Sequence, residues 1–163
     1  MDMNKKKPVV YFCPRITADN LIQVYRALGR EAKGRVAVKL STGEAGNPNH
    51  LSVDLIKKLV HLVDGTIVEC NTAYDGRRCN VADHMQTAAE HGFTAIAEVD
   101  IMDAQGSIEL PVAHGKHLKH NLVGRNWRNY DFTMVLSHFK GHPMAGFGGA
   151  LKNVAIGMAS AEG

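Results

Sequence analysis

Cysteine is scarce in this chain and unpatterned. Cys13, Cys70 and Cys79 are an odd set with no CxxC spacing, which supports neither a disulfide framework nor a zinc-ribbon or iron–sulfur ligand run. Each reads as a buried or idle thiol. Long apolar runs are also missing. No stretch approaches the ~20 residues of a membrane span, and Val9 to Phe12 is too short for the core of a signal peptide. The expectation is a cytoplasmic protein without membrane partners. Charge of one sign is lacking as well: 19 basic residues stand against 16 acidic ones, for a net charge of +3. The single basic run, Lys5 to Lys7, reads as a solvated tail, and a nucleic-acid footprint demands more than that.

The 163 residues suffice for one buried core and do not require two. With 45% hydrophobic and 21% charged residues the composition is that of a globular chain, so residues 1–163 are read as one domain. Short, β-branched runs at Val9 to Phe12, Val36 to Val38, Thr66 to Val68 and Phe132 to Leu136 have the look of strands buried on both faces of a parallel sheet. Helical periods lie between them. Leu21, Val24 and Leu28 share a face, with Thr17 as cap and Gly29 as stop; Leu51, Leu55, Leu59 and Leu62 form a second stripe; Val81, Met85 and Ala88 form a third, capped by Asn80 and ended by Gly92. The alternation predicts an α/β fold, a mostly parallel, doubly wound sheet of βαβ units with binding loops at the carboxyl ends of its strands. One segment, about residues 107–123, alternates apolar and polar residues around a turn at Gly115 and is expected as an inserted β-hairpin, with Pro111 tolerable only on an edge strand.

Three strand-to-helix loops could carry chemistry. Ser41 to Pro48 offers Gly43, Gly46, hydroxyls and the Glu44 carboxylate ahead of a helix starting near Asn49. It could present backbone N–H groups to an anion, but it lacks the nucleotide-loop spacings, and turn chemistry explains it as well. Asn71 to Arg78 follows a strand and sets Arg77 and Arg78 beside Gly76. Two guanidinium forks could hold a carboxylate or phosphate, or could make ordinary surface pairs. Ser137 to Asn153 is the most informative, with His138, His142, Lys140 and Lys152 among four glycines, including Gly146, Gly148 and Gly149, ahead of a helix expected over Ala150 to Ala159. Glycine lets backbone approach a ligand closely, while histidine and lysine supply acid, base, nucleophile or metal ligand. The His-x3-His spacing of His138 and His142 would serve a metal on a helix, but Gly141 and Pro143 argue against a helix there. The other histidines, among them His50, His84, His91 and His120, are read as structural. Lys152 is either a reactive amine among small apolar neighbours or a snorkelling surface lysine.

Four stretches, Gly43 to Asn47, Asn71 to Arg78, Asp83 to Phe93 and above all Ser137 to Asn153, resemble the uncharacterised iron–sulfur-centre protein family, a domain of unknown function often fused to ferredoxin-type cluster motifs. The resemblance spans nearly the whole chain. It implies a longer architecture in which a ferredoxin-type domain or protein is a partner, although no cluster motif occurs in these residues, so the cofactor is left unknown. More distantly, His142 to Lys152 is similar to a segment of the nickel-dependent lactate racemases. That similarity implies an enzyme in which Lys152 anchors a nickel-pincer nucleotide, His142 acts as acid and base on a 2-hydroxy acid, and Arg77 and Arg78 hold a carboxylate.

Three functions are therefore in view. In the first, the domain binds a small anionic ligand or nucleotide-like cofactor at the strand carboxyl ends, in a pocket between the second and third loops, through Glu44, Asn71, Arg77, Arg78, His138, Gly146, Gly148 and Gly149 around His142 and Lys152. In the second, it is a racemase-like or hydride-transfer enzyme with His142 and Lys152 as catalytic residues. In the third, it is a non-enzymatic module that partners an iron–sulfur redox domain.

Overall fold

A computed structural model describes residues 7–163; Lys5 and Lys6 of the basic run lie outside the described residues. Four parallel strands form the central sheet in the order β3-β2-β1-β6, where β1 is Val36–Lys39, β2 Gly65–Glu69, β3 Val99–Ile101 and β6 Phe132–Val135. Pairing sets Val38 beside Ile67 on one side and Met134 on the other, so Val36, Val38, Leu40 and Ile67 share one face while Ala37, Val68 and Cys70 share the other. Burial on both faces is why these strands read as continuous apolar runs rather than alternating ones.

The first face packs against α1 (Ala18–Ala27), α2 (Val53–Leu62) and α3 (Val81–Glu90). The Thr17 hydroxyl accepts from the Asn20 N–H at 3.2 Å and the Asn80 side chain from the Asp83 N–H at 3.0 Å, the caps their positions promised. The packed faces are rotated from the expected stripes. Leu21, Ile22 and Tyr25 turn inward on α1 while Leu28 stays exposed, and on α2 the buried set is Ile56, Leu59 and Val60 while Leu62 is exposed. A stripe about 100° wide contains several i, i+3, i+4 choices, and only the neighbouring surface selects among them. The opposite face of the sheet is covered by Trp127, Tyr130 and Met158.

Two strands differ from the sequence expectation for the central sheet. Val9 to Phe12 forms no strand and its side chains are exposed, because β propensity without a neighbouring strand does not fix an extended segment. The short strand β3 pairs with β2 instead, through Ile67 to Val99 and Glu69 to Ile101. The expected hairpin is present as β4 (Ser107–Pro111) and β5 (His120–Gly124), antiparallel, with Pro111 opposite His120. The far side of β5 is held by residues 158–160, through Gly124 N–H to Met158 O and Ser160 N–H to Leu122 O. That leaves Pro111, which has no N–H to give, on the open edge.

The chain runs outward from β1 to β2 to β3 and then returns to place β6 on the other side of β1. The strand order therefore reverses between β1 and β6, and it is at the carboxyl ends flanking such a reversal that open parallel sheets bind ligands.

Candidate functional site

Two layers of polar groups occupy the carboxyl edge of the sheet. The deeper layer is ionic and centred on Lys39 and Glu69, the final residues of β1 and β2, both almost wholly buried. Lys39 Nζ donates to Leu40 O at 2.6 Å, Glu69 Oε2 at 2.8 Å and Asn153 Oδ1 at 2.9 Å, so each of its three N–H bonds has an acceptor. The second oxygen of Glu69 accepts from the Thr42 N–H at 2.8 Å and from Arg78 Nη1 at 3.3 Å. Arg78 Nη2 reaches Glu44, whose carboxylate also accepts from the Tyr74 hydroxyl at 2.9 Å. Two cations thus face two carboxylates, of which Glu69 is buried and Glu44 is exposed. Burial alone would push the Glu69 carboxyl up; Lys39 and Arg78 beside it overcome this and hold it below the usual range. Glu44 is likewise lowered, with Arg78 outweighing its burial.

His84 enters this layer from α3 with no exposed surface. Its Nδ1 lies 3.2 Å from Asn71 Oδ1, and Asn71 in turn donates its N–H to Asp103 at 2.9 Å. Burial, together with the cations Arg78 and Lys39, lowers the affinity of the ring for a second proton, against the opposing pull of Glu69 and Asp103. His84 Nε2 and Arg78 Nε are both buried without a hydrogen-bond partner.

The outer layer is built by residues 137–153. Gly141–His142 and Gly146–Phe147 pair as the two-residue antiparallel strands β7 and β8, followed by helix α4, Gly149–Ala155. The tight return depends on Gly146 at φ +70°, and the entry to α4 on Gly149 at φ +50°, where an added Cβ would strike the Phe147 ring. Gly148 faces the Cβ atoms of His142 and Lys152, each 3.9 Å from where its own Cβ would stand. Beside it the two side chains converge, and His142 Nε2 lies 2.7 Å from Lys152 Nζ. The Ala145 N–H donates to His142 Nδ1 at 3.2 Å, fixing the ring. Asn153, next to Lys152, ties the outer layer to the inner one: its Nδ2 donates to Lys39 O at 3.1 Å and Ser137 Oγ at 2.9 Å, while its Oδ1 accepts from Lys39.

The residues singled out from the sequence are thereby sorted. His142 and Lys152 meet, with Gly146, Gly148 and Gly149 shaping the loop around them. Arg78 and, through His84, Asn71 belong to the inner layer, Glu44 meets it from the exposed side, and the two Nη groups of Arg78 are taken by carboxylates of the chain itself while its Nε is not. Arg77 does not join them. Its guanidinium makes a two-pronged pair with Glu90 of α3, at 2.7 and 2.9 Å, on the exposed side of the helix. His138 and Lys140 are exposed in the outer loop. Among the described residues no group of three or more His, Cys, Asp or Glu side chains is arranged to hold a metal ion. Two surface depressions sit at the opposite edge of the sheet, one beside Gly65, Thr66, Ala97 and Glu98, the other beside Tyr25, Ala32 and Val63; neither is lined by the second and third loops.

Sequence reasoning passed over Lys39, Glu69, Thr42, His84 and Asn153. A signal was there for the first two: a lysine and a glutamate ending strands that read as buried on both faces need each other or a ligand. His84 gave less away, since one histidine on an amphipathic helix is ordinarily a structural residue.

The family model described as "Domain of unknown function (DUF362)" matches residues 36–163, which takes in every element from β1 onward. No curated protein and no solved structure matches the chain significantly. No helix of the described residues is long and apolar enough to cross a membrane.

Proposed function

The chain belongs to this family of unknown function, and from that premise we propose that its domain binds a small anionic molecule at the carboxyl edge of the sheet, over the loop of residues 137–153. One observation carries the reading. This loop presents His138, Lys140, His142 and Lys152 with no acidic residue among them, and none of the four is paired with a carboxylate among the described residues. The inner layer is already neutralised by its own partners, so the open electrostatic demand lies with the outer loop, at the topological switch point. Arg77 and Arg78 are spent on Glu90, Glu69 and Glu44, carboxylates of the chain itself.

Intact mass of the purified protein, native and then denatured, tests the reading alongside calorimetric titration with lactate, phosphate and a nucleoside monophosphate. The expected result is a surplus or a heat seen with the native protein and lost in Lys152→Ala. Absence of both for all three probes overturns it.

The racemase-like reading, with a nickel-pincer nucleotide carried on Lys152, gains support only from the His142 and Lys152 contact. The described residues assemble no metal-ligand cluster to complete such a site. Its mark would be a mass surplus that survives denaturation. A second reading has an observation of its own. Phe139, Met144, Leu151 and Ile156, all in or beside the outer loop, are exposed, Met144 by 91% and Phe139 by 84%. A cluster of bare apolar side chains around a cationic centre also suits a partner surface, such as a ferredoxin-type domain of an iron–sulfur protein. Phe139→Ser with Met144→Ser separates the two, since it would weaken such docking while bringing no negative charge into the loop, and leave the binding of small anions in place.

A further inference from the structure

We infer that Val9 to Phe12 is a strand of an assembly rather than of the single chain: it adds to the outer edge of β6 of a second copy, and the exchange is reciprocal, giving a closed dimer. The inference stands apart from the anion-binding reading. It starts from a segment the fold leaves bare. Val9, Val10, Tyr11 and Phe12 are all strand formers, yet all four are exposed, Val10 by 87% and Phe12 by 86%, and Ile16 beyond them is as open. Their backbone makes no hydrogen bond to the backbone of any other described residue. Monomeric chains rarely present so many large apolar side chains together. In an extended segment Val9 and Tyr11 would point to one side and Val10 and Phe12 to the other. The arm is therefore apolar on both faces, the pattern of strands covered from both sides, as in the central sheet. Pro8 and Pro14, which have no N–H to pair, bracket it.

The edge that fits it is β6. That strand pairs with β1 and, among the described residues, with no strand beyond it. Phe132 and Leu136 give their N–H groups to Arg35 O and Lys39 O, at 3.3 and 2.8 Å, which turns the N–H and C=O of Thr133 and Val135 to the open side. Four residues of β6, Phe132–Val135, meet four residues of the arm. Unpaired groups along an edge are a template for a strand from another chain. The other edge, β3, is one residue shorter and carries a carboxylate, Asp100, at its centre, the kind of charge that blunts an edge. The arm of the same chain stands off the sheet. Its base is fastened to α1, where Asn20 Nδ2 donates to Arg15 O at 3.0 Å and Thr17 caps the helix. Two exchanged arms carry four aromatic and six large aliphatic side chains in Val9 to Phe12 and Ile16. Their burial is on the order of the 1,000 Å² that a specific interface needs. Reciprocal exchange also closes the assembly at two copies, because neither β6 edge is then left to recruit a third.

The test is sedimentation of the whole chain over its soluble concentration range, with amide exchange followed by NMR on the same samples. Expected is a monomer–dimer equilibrium in which the amides of Val9 to Phe12 and of Thr133 and Val135 slow together, at least about tenfold, as the dimer forms. Val10→Asp with Phe12→Asp, two exposed positions, should keep the far-ultraviolet spectrum, remain monomeric and return Thr133 and Val135 to fast exchange. A monomer at every concentration overturns the inference, whether the arm amides exchange freely or are protected against the chain's own β6. A dimer that persists in the double variant overturns it as well, since the interface would then lie elsewhere.

Discussion

Replacing Lys39 with methionine probes the ionic layer on which the outer loop is seated. The side chain is 1% exposed and its three N–H bonds are all used, on Leu40, Glu69 and Asn153. Methionine keeps the stem and removes the charge. Glu69 is then left buried with only Arg78 and Thr42 for partners, and Asn153 loses one of its anchors to the sheet. Breaking one side of a buried ion pair costs about 3–5 kcal/mol, because the remaining charge stays desolvated. Arg78 remains beside Glu69, so the lower half of that range is expected, about 3 kcal/mol. For a chain of this size each kcal/mol moves the melting temperature by roughly 2–4 °C, which predicts a fall of about 6–12 °C. The assay is urea unfolding followed by circular dichroism, with the midpoint shifted and the slope unchanged. The double variant Lys39→Met with Glu69→Gln should lose less than the sum of the two single losses, by about 1–3 kcal/mol, since the orphaned charge is gone. A Lys39→Met loss under about 1 kcal/mol would refute the reasoning, for it would mean that Glu69 is either solvated or satisfied without Lys39.

Stability should fall as pH drops below about 6.5, because the unfolded chain takes up a proton on His84 at its ordinary pKa while the buried ring resists it; His84→Gln should flatten that part of the profile, and a wild-type profile flat between pH 7 and 5 would contradict it. A second loss is expected below about pH 4.3, where Glu69, held low by Lys39 and Arg78 in the folded state, protonates first in the unfolded one; Glu69→Gln should remove that acid-sensitive increment. Native thiol titration should modify the exposed Cys79 and spare Cys70, whose thiol burial pushes up to about 12, until denaturant is added. Arg77→Ala should leave melting temperature and ligand binding unchanged, whereas Arg78→Ala should lower the melting temperature markedly, because only the second leaves Glu69 and Glu44 short of a partner. Gly149→Ala should displace Phe147 and weaken ligand binding together, read by calorimetry against an intact far-ultraviolet spectrum.

The alternation of short β-branched runs with capped helical periods was enough to read the α/β class and the parallel sheet, because burial on both faces imposes its own composition on a strand. Thr17, Asn80 and Gly92 marked helix ends locally, since a cap is satisfied within a few residues of itself. Val9 to Phe12 shows the limit of that reasoning, for strand propensity needs a partner that no local pattern reveals. The pairing of His142 with Lys152 came from the resemblance to the lactate racemases, whereas the tight return at Gly146 that lets them meet is a local property of the glycines. The two arginines of the second loop had the same standing in the sequence, adjacent and after a strand, yet one is drawn outward to Glu90 and the other inward to Glu69.

What the sequence determined by itself, then, is the set of elements and the places where glycine, histidine and lysine concentrate, all properties of neighbours along the chain. Which charges meet was decided only by the tertiary structure. Lys39, Glu69 and Asn153 are far apart in sequence, 30 and 114 residues from Lys39 to the other two, and a buried charge finds its partner through the strand order that brings the carboxyl ends of β1, β2 and β6 side by side.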